Sequence, residues 1–329
     1  MARTPVHAEA APCPPANTYA DPSRLTLPEL SGLPELADYQ DQPAQMPAGA
    51  PGKVGYLRLR FARGPERSEL VELERIAPLL VQRALYWDEG MPELPICMVT
   101  SVGGGTLQGD RLTIVVDVEE GACAHVTTQG ATRVHAMDSN HAAQLQLLTV
   151  AEDGYLEYLP EVTIPYRGAR YASRTRIVAA PSATVLVAEA VMAGRKHHGG
   201  ERFRYEVLSL ATEVVRPDGT PVFTEKLLIE PARRSPELPG VMQHFDVFGN
   251  LLILTPPDVV ERVIARVPPQ FDLAEGLASG LSRLPNGAGL MLRVVATESH
   301  QVRARMREVW GVVREEATGR TLPEEFAWR

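Results

Sequence analysis

From Val54 onward, apolar and polar residues alternate in short runs. Val54, Tyr56, Leu57, Leu59 and Phe61 interleave with Arg58, Arg60 and Arg63, close to the period of a strand with one buried face. Comparable runs cover 69–76, 79–86, 95–101, 112–118, 122–128, 143–150, 155–159, 170–178, 184–191, 203–215 and 222–229. Glu120-Gly121, Asp153-Gly154, Ala180-Pro181 and Pro217-Asp218-Gly219 punctuate them, and Asp-Gly between β-rich runs is a hairpin signal. Helical periodicity is almost absent over 54–230, so the pattern predicts an all-β body rather than alternating strands and helices.

The pattern changes at both ends. After Pro256-Pro257, the spacing of Val259, Val260, Val263 and Ile264 predicts a helix with Asp258 as its N-cap. Residues 290–296 read as one more strand. Ser299 then opens an amphipathic helix, with Val302, Met306, Val309, Trp310 and Val313 on one side and Arg303, Arg305, Arg307, Arg314 and Glu315 on the other. The helical part runs from about 256 to 329 and the β body from about 52 to 255. Residues 1–51 hold ten of the 28 prolines and show no sustained period. They carry two Arg against six Asp/Glu, so this stretch reads as a disordered acidic tail.

The net charge of -8 argues against general nucleic-acid binding, which needs a basic face. No run of about 18 apolar residues predicts a membrane span, and the first residues lack a signal peptide's apolar region. Three scattered cysteines, Cys13, Cys97 and Cys123, make no disulfide framework. A cytoplasmic setting is the expectation.

No catalytic constellation stands out: there is no G-x-S-x-G, H-E-x-x-H or C-x-x-C. The run 104–111 has phosphate-loop glycine spacing, yet Asp110 stands where a Lys would meet phosphate. Its glycines suit tight turns instead, and Asp110 offers either a local cap or a hard oxygen ligand. His125, His135 and His141 are close in sequence but match no ligand spacing, and His197-His198 reads as a glycine-flanked loop. Glu189 is the unusual carboxylate, alone in an apolar run from Thr184 to Met192. Strand register decides whether it faces solvent or a polar interior, and an interior position demands partners or a raised pKa.

Five segments, in order, resemble the UreD (UreH) family of urease accessory proteins, over about Val54 to Arg329. Gly104-Gly105-x-x-x-Gly109-Asp110-Arg111-Leu112 is the first, and the stretch from Thr127 through Thr128, Gln129, Thr132 and Arg133 is the second. The third runs from Glu157 through Pro160 and Glu161 to Gly168-Ala169. Glu189 with Gly194-Arg195, then Gly200-Glu201-x-Phe203, are the others, and the ending Phe326-Ala327-Trp328 falls where the family ends. The chain departs from the family pattern at Gly103, Gln108 and Ala188 and in its extended tail.

The resemblance implies a β-solenoid-like body with a few C-terminal helices packed on it, and a non-enzymatic role. It implies direct contact with UreF, contact with the GTPase UreG through UreF, and docking on apo-urease as a dimer of such heterotrimers. The terminal helix and the second β half are expected at the UreF contact. Nothing is expected to bind tightly; Ni²⁺ is a transient cargo on its way to the urease active site. On this reading Asp110, Glu189 and Glu161 line or shape the metal path, because weak oxygen ligands let an ion pass where a His/Cys cage would trap it. Two alternatives remain open: a β-solenoid carbohydrate-active enzyme using paired carboxylates, and a stand-alone nickel-binding protein.

Overall fold

A computed structural model describes residue 30 and residues 32–41 and 53–326. The first strands are β1 (Val54–Arg63), β2 (Ser68–Ile76), β3 (Leu79–Leu80), β4 (Ile96–Ser101), β5 (Arg111–Val118) and β6 (Cys123–Thr128). There follow β7 (Thr132–Val134), β8 (Ala142–Val150), β9 (Tyr155–Tyr158), β10 (Thr163–Pro165), β11 (Arg170–Ala179) and β12 (Thr184–Met192). The last are β13 (Val207–Val215), β14 (Pro221–Ile229), β15 (Val247–Leu254), β16 (Gln270–Asp272), β17 (Leu277–Arg283) and β18 (Gly289–Ala296). Helix α1 (Pro257–Arg266) separates β15 from β16, and α2 (Ser299–Thr318) follows β18.

The strands form a seven-stranded sheet, ordered β14-β13-β11-β8-β5-β1-β2, and an eleven-stranded sheet containing β16-β17-β18-β15-β12-β9-β6-β4-β3. From β4 to β13 the chain coils between them. Strands β5, β8, β11 and β13 stack in parallel in one sheet, and β4, β6, β9 and β12 in the other. A short third side joins them, where Thr106 bridges Val134 and β7, β10 and Val191 pair in parallel. This is a solenoid-like, mainly β body, as expected.

The family-like segments occupy successive turns of this coil and meet on the third side. Gly105 and Gly194 show why glycine is needed there. Both have φ near +141°, and a Cβ would lie 2.6 Å from the Arg133 carbonyl oxygen at Gly105 and 2.7 Å from that of Glu201 at Gly194. Glu201 locks the same corner: its carboxylate accepts the Arg167 amide at 2.7 Å and pairs with Arg195 at 2.6 Å. Gln108 has its own task, its side-chain oxygen accepting the amides of Asp138, Ser139 and Asn140.

Both helices cover the eleven-stranded sheet, with Val259, Val263, Val302, Met306 and Val309 in one core with Leu251 and Leu292. Gly249 admits α2 closely: a Cβ there would sit 2.4 Å from Met306.

Several expectations need correcting. Asp258 is not the N-cap of α1; Pro256 is, and Asp258 sits in the first turn, paired with Arg262 at 2.9 Å. Ser299 opens α2 as expected, with Glu298 before it as the cap, in a reciprocal capping box with Gln301. Arg305 and Arg314 do not lie on a solvated helix side: they are buried. The run 79–86 shrinks to Leu79–Leu80 plus a bridge at Leu85. Within the stretch expected as a disordered tail, residue 30 and residues 32–41 have a described structure, and Leu30 and Leu36 pack on the seven-stranded sheet. The rest of that tail, and Ala327-Trp328, lie outside the described residues.

Candidate functional site

The inner faces of the two sheets are not apolar throughout. Along β8 the inward positions read Gln144, Gln146, Leu148, Val150; along β11 they read Tyr171, Ser173, Thr175, Ile177. The later positions of each strand close into a core with Val116, Val185 and Val187. The earlier, polar positions line a cavity of about 430 Å³ between the sheets. Its lining reaches from the exposed Gly104 and Gln129-Gly130 turns to Glu225 and Asn250 on the far side. Such a space has room for on the order of ten waters, and its lining mixes these polar side chains with apolar ones such as Leu112, Ile114 and Leu252. Gln146 exchanges hydrogen bonds of 3.3 Å with Ser173 and Thr175, a belt of exchangeable oxygens.

Glu189 projects into this cavity from β12. Its register beside Asn250 of β15 puts Val187, Glu189 and Val191 on the cavity face and Ala188 among the residues under the helices. Burial, then the nearby Glu225 carboxylate, raise its pKa to about 7. Glu225 itself is paired with Arg293 at 2.5 Å. Glu161 also lines the cavity, with Arg303 at 3.6 Å from its carboxylate. Thr128 holds the Glu161 loop, its hydroxyl accepting the Glu161 amide at 2.9 Å.

Asp110, expected on a metal path, does not line the cavity. It is buried, and its carboxylate accepts the backbone amides of Lys53 at 3.0 Å and Leu107 at 2.8 Å. It shapes the loop that bears Gly104 and Gly105 rather than offering a free ligand. The structure thus brings Glu161 and Glu189 into one space and leaves Asp110 outside it. The histidines do not gather: His125 meets Glu157, His135 meets the Gly104 carbonyl, and His141 donates to the Tyr39 carbonyl. Among the described residues no three His, Cys, Asp or Glu side chains form a set able to hold a metal ion.

A second buried cluster lies under α2, and sequence reasoning missed it. Both Glu157 oxygens are saturated. One accepts from Tyr155 at 2.6 Å, Trp310 at 2.6 Å and Arg314 at 2.8 Å; the other meets His125 at 2.7 Å and Arg314 at 2.9 Å. Arg314 also reaches Asp88 at 2.5 Å. Burial alone would raise the Glu157 pKa; Arg314 and His125 overcome it and hold the carboxylate well below its usual range. His125 stacks on Trp310 and meets the edge of Phe326, so the cluster ties the last described residue to the coil. A signal existed: Arg314 follows Trp310 by four residues, which places both on one helix face.

The identity of the chain rests on comparison. The model of the UreD urease accessory protein family matches residues 53–329. The chain belongs to this family. It is 55% identical over 311 residues to urease accessory protein UreD 2 of Methylorubrum extorquens, covering 93% of this chain and all of that protein. It is 56% identical over 297 residues to urease accessory protein UreD 3 of Methylorubrum populi, covering 90% of this chain and 96% of that one. Urease accessory protein UreD of Yersinia pseudotuberculosis is 50% identical over 315 residues, covering 95% of this chain and 98% of its own. Membership in a urease accessory family supports a role in urease maturation. None of the described helices is long and apolar enough to cross a membrane.

Proposed function

We propose that this UreD-family chain is a urease maturation chaperone of the cytoplasm, acting as an accessory protein rather than an enzyme. It docks with UreF and the GTPase UreG on apo-urease and assists delivery of Ni²⁺ to the nickel active site. UreF is its direct partner through α2, UreG joins through UreF, and the complex pairs as a dimer of heterotrimers. The observation that supports a metal passage is the polar cavity between the sheets, with Glu189 reaching into it. Oxygen donors on its walls suit a hard-to-borderline divalent ion held briefly. A carboxylate that titrates near neutrality switches between ligand and neutral acid at little cost. Glu161 stands on the same lining, and Asp110 supports the loop beside it.

Complementation tests the proposal. In a urease-positive host lacking its own homologue, the wild-type chain restores urease activity and urease nickel. The Glu161→Gln/Glu189→Gln double variant forms the complex with UreF but lowers nickel per urease at least tenfold. Unchanged nickel content would remove the cavity from the delivery route. Ala304→Arg and Glu315→Arg, at exposed positions of α2, test the partner assignment separately: UreF capture is lost while the fold is kept, and unchanged capture removes α2 from the contact.

A further inference from the structure

Three glutamates line the cavity, and two of them face an arginine. Glu161 and Glu225 are both partly exposed, so each stands where the cavity meets solvent. Glu161 is tied to the exposed Gln129-Gly130 turn: the Thr128 hydroxyl accepts the Glu161 amide at 2.9 Å and donates to the Gly130 carbonyl at 3.2 Å. Glu225 lies on β14, the edge strand of the seven-stranded sheet, and its partner Arg293 lies on β18 of the facing sheet. For Glu189, the third, the neighbouring charge is Glu225 rather than a cation.

The two arginines are held very differently. Arg293 donates a hydrogen bond to Glu225 at 2.5 Å. Arg303 of α2 comes no closer to the Glu161 carboxylate than 3.6 Å, beyond hydrogen-bond length. The Arg303 Nε is buried and donates to nothing among the described residues. An unpaired buried donor favours any arrangement that gives it an acceptor, and a long, part-exposed ion pair separates at little cost. While Arg303 faces Glu161 the pair is neutral and offers a divalent cation little. With the guanidinium turned away, the cavity end presents a bare carboxylate.

We infer that Arg303 is a gate on the Glu161 end of the cavity: it occupies the carboxylate when no cation is there and yields it to a divalent cation. The tighter Glu225–Arg293 pair keeps the opposite end closed. The inference rests on the reading of the cavity as a cation passage. It adds a residue that offers the ion no ligand and controls its entry.

The test uses the full chain and Ni²⁺ alone. It follows the paramagnetic perturbation of the Glu161 and Glu225 carboxyl carbon-13 signals, assigned by Glu161→Gln and Glu225→Gln. In the wild type, Glu161 is expected to respond at a lower Ni²⁺ concentration than Glu225. In Arg303→Gln the concentration for half the Glu161 response falls at least fivefold, whereas Arg303→Lys, which keeps the charge, stays within twofold of wild type. Equilibrium dialysis shows the same gain in Ni²⁺ binding, and adding Glu161→Gln to Arg303→Gln abolishes it. Circular dichroism reports folding, and if Arg303→Gln fails to fold, Arg303→Met carries the same expectation. An unchanged Glu161 response, an equal gain in Arg303→Lys, or a gain that survives without Glu161 would each overturn the gate. The delivery reading fails separately, when Glu161→Gln/Glu189→Gln leaves urease nickel unchanged, because the Glu161 response is read on the chain alone.

Discussion

Two glutamates on neighbouring strands of one sheet have opposite fates. Glu157 on β9 is fully buried, and every lone pair faces a donor: Tyr155, Trp310, His125 and the Arg314 fork. Glu189 on β12 faces the cavity, where burial and then the nearby Glu225 carboxylate perturb it. Burial raises the pKa of both. In Glu157 it is overcome by a guanidinium and an imidazole; in Glu189 nothing opposes it, and the value rises to about 7. Burial of a carboxylate therefore says little by itself. Its partners decide whether it is held ionised as a fastener or pushed toward the neutral acid.

Breaking the fastener is expected to have the largest effect. Arg314→Met leaves Glu157 and Asp88 buried without their cation and is expected to lower stability by about 3–5 kcal/mol, measured by urea unfolding. If the change were under about 1 kcal/mol, the cluster would not be what holds α2 down.

The cavity carboxylate responds with the opposite sign. A folded-state pKa raised from 4.5 to about 7 means the folded chain binds the proton more tightly. The stabilising contribution is then complete below pH 4.5 and lost as pH rises through 7. At about 1.36 kcal/mol per unit, the loss is about 3–4 kcal/mol at most, less whatever solvent screens. Glu189→Gln is expected to flatten the stability curve between pH 4.5 and 7 and to leave the chain at least as stable as wild type at pH 8. A destabilised Glu189→Gln at pH 8 would mean the carboxylate is paired after all. Glu157 works the other way: its depressed pKa gives stability present above about 4.5 and lost with acid, so Glu157→Gln removes part of the acid sensitivity.

The smallest expected effect concerns the corner that shapes the third side. Gly194→Ala places a Cβ 2.7 Å from the Glu201 carbonyl oxygen in a left-handed backbone and is expected to cost about 1–3 kcal/mol. Thermal melting checks it, and a neutral result would show that this corner relaxes freely.

Most strands were legible because one face of each is buried. Runs such as 170–178 and 184–191 match β11 and β12 to within a residue or so. What alternation could not say is which strands pair, or that pairing is parallel; period 2 looks the same in either. β15 was missed because Gly249 and Asn250 interrupt its apolar run, the first to admit α2 and the second to face the cavity. β17 was missed because Ser279, Gly280 and Ser282 leave little hydrophobic pattern. Glu189 stood out as a charge among apolar neighbours. The cavity did not, although Gln144/Gln146 and Ser173/Thr175 repeat polar residues on the inward face of adjacent strands. Asp110 was open between a local cap and an oxygen ligand because a carboxylate spent on backbone amides looks, in sequence, like one free to bind; its carboxylate accepts the Lys53 and Leu107 amides.

The contrast between the two glutamates is tested most directly by titrating both in the folded chain, using carbon-13 carboxyl shifts assigned by Glu157→Gln and Glu189→Gln. The account predicts a Glu189 midpoint near 7 and a Glu157 carboxyl still ionised below pH 4. A Glu189 midpoint at the ordinary 4.5 would contradict it, because the cavity would then treat that carboxylate as open water does.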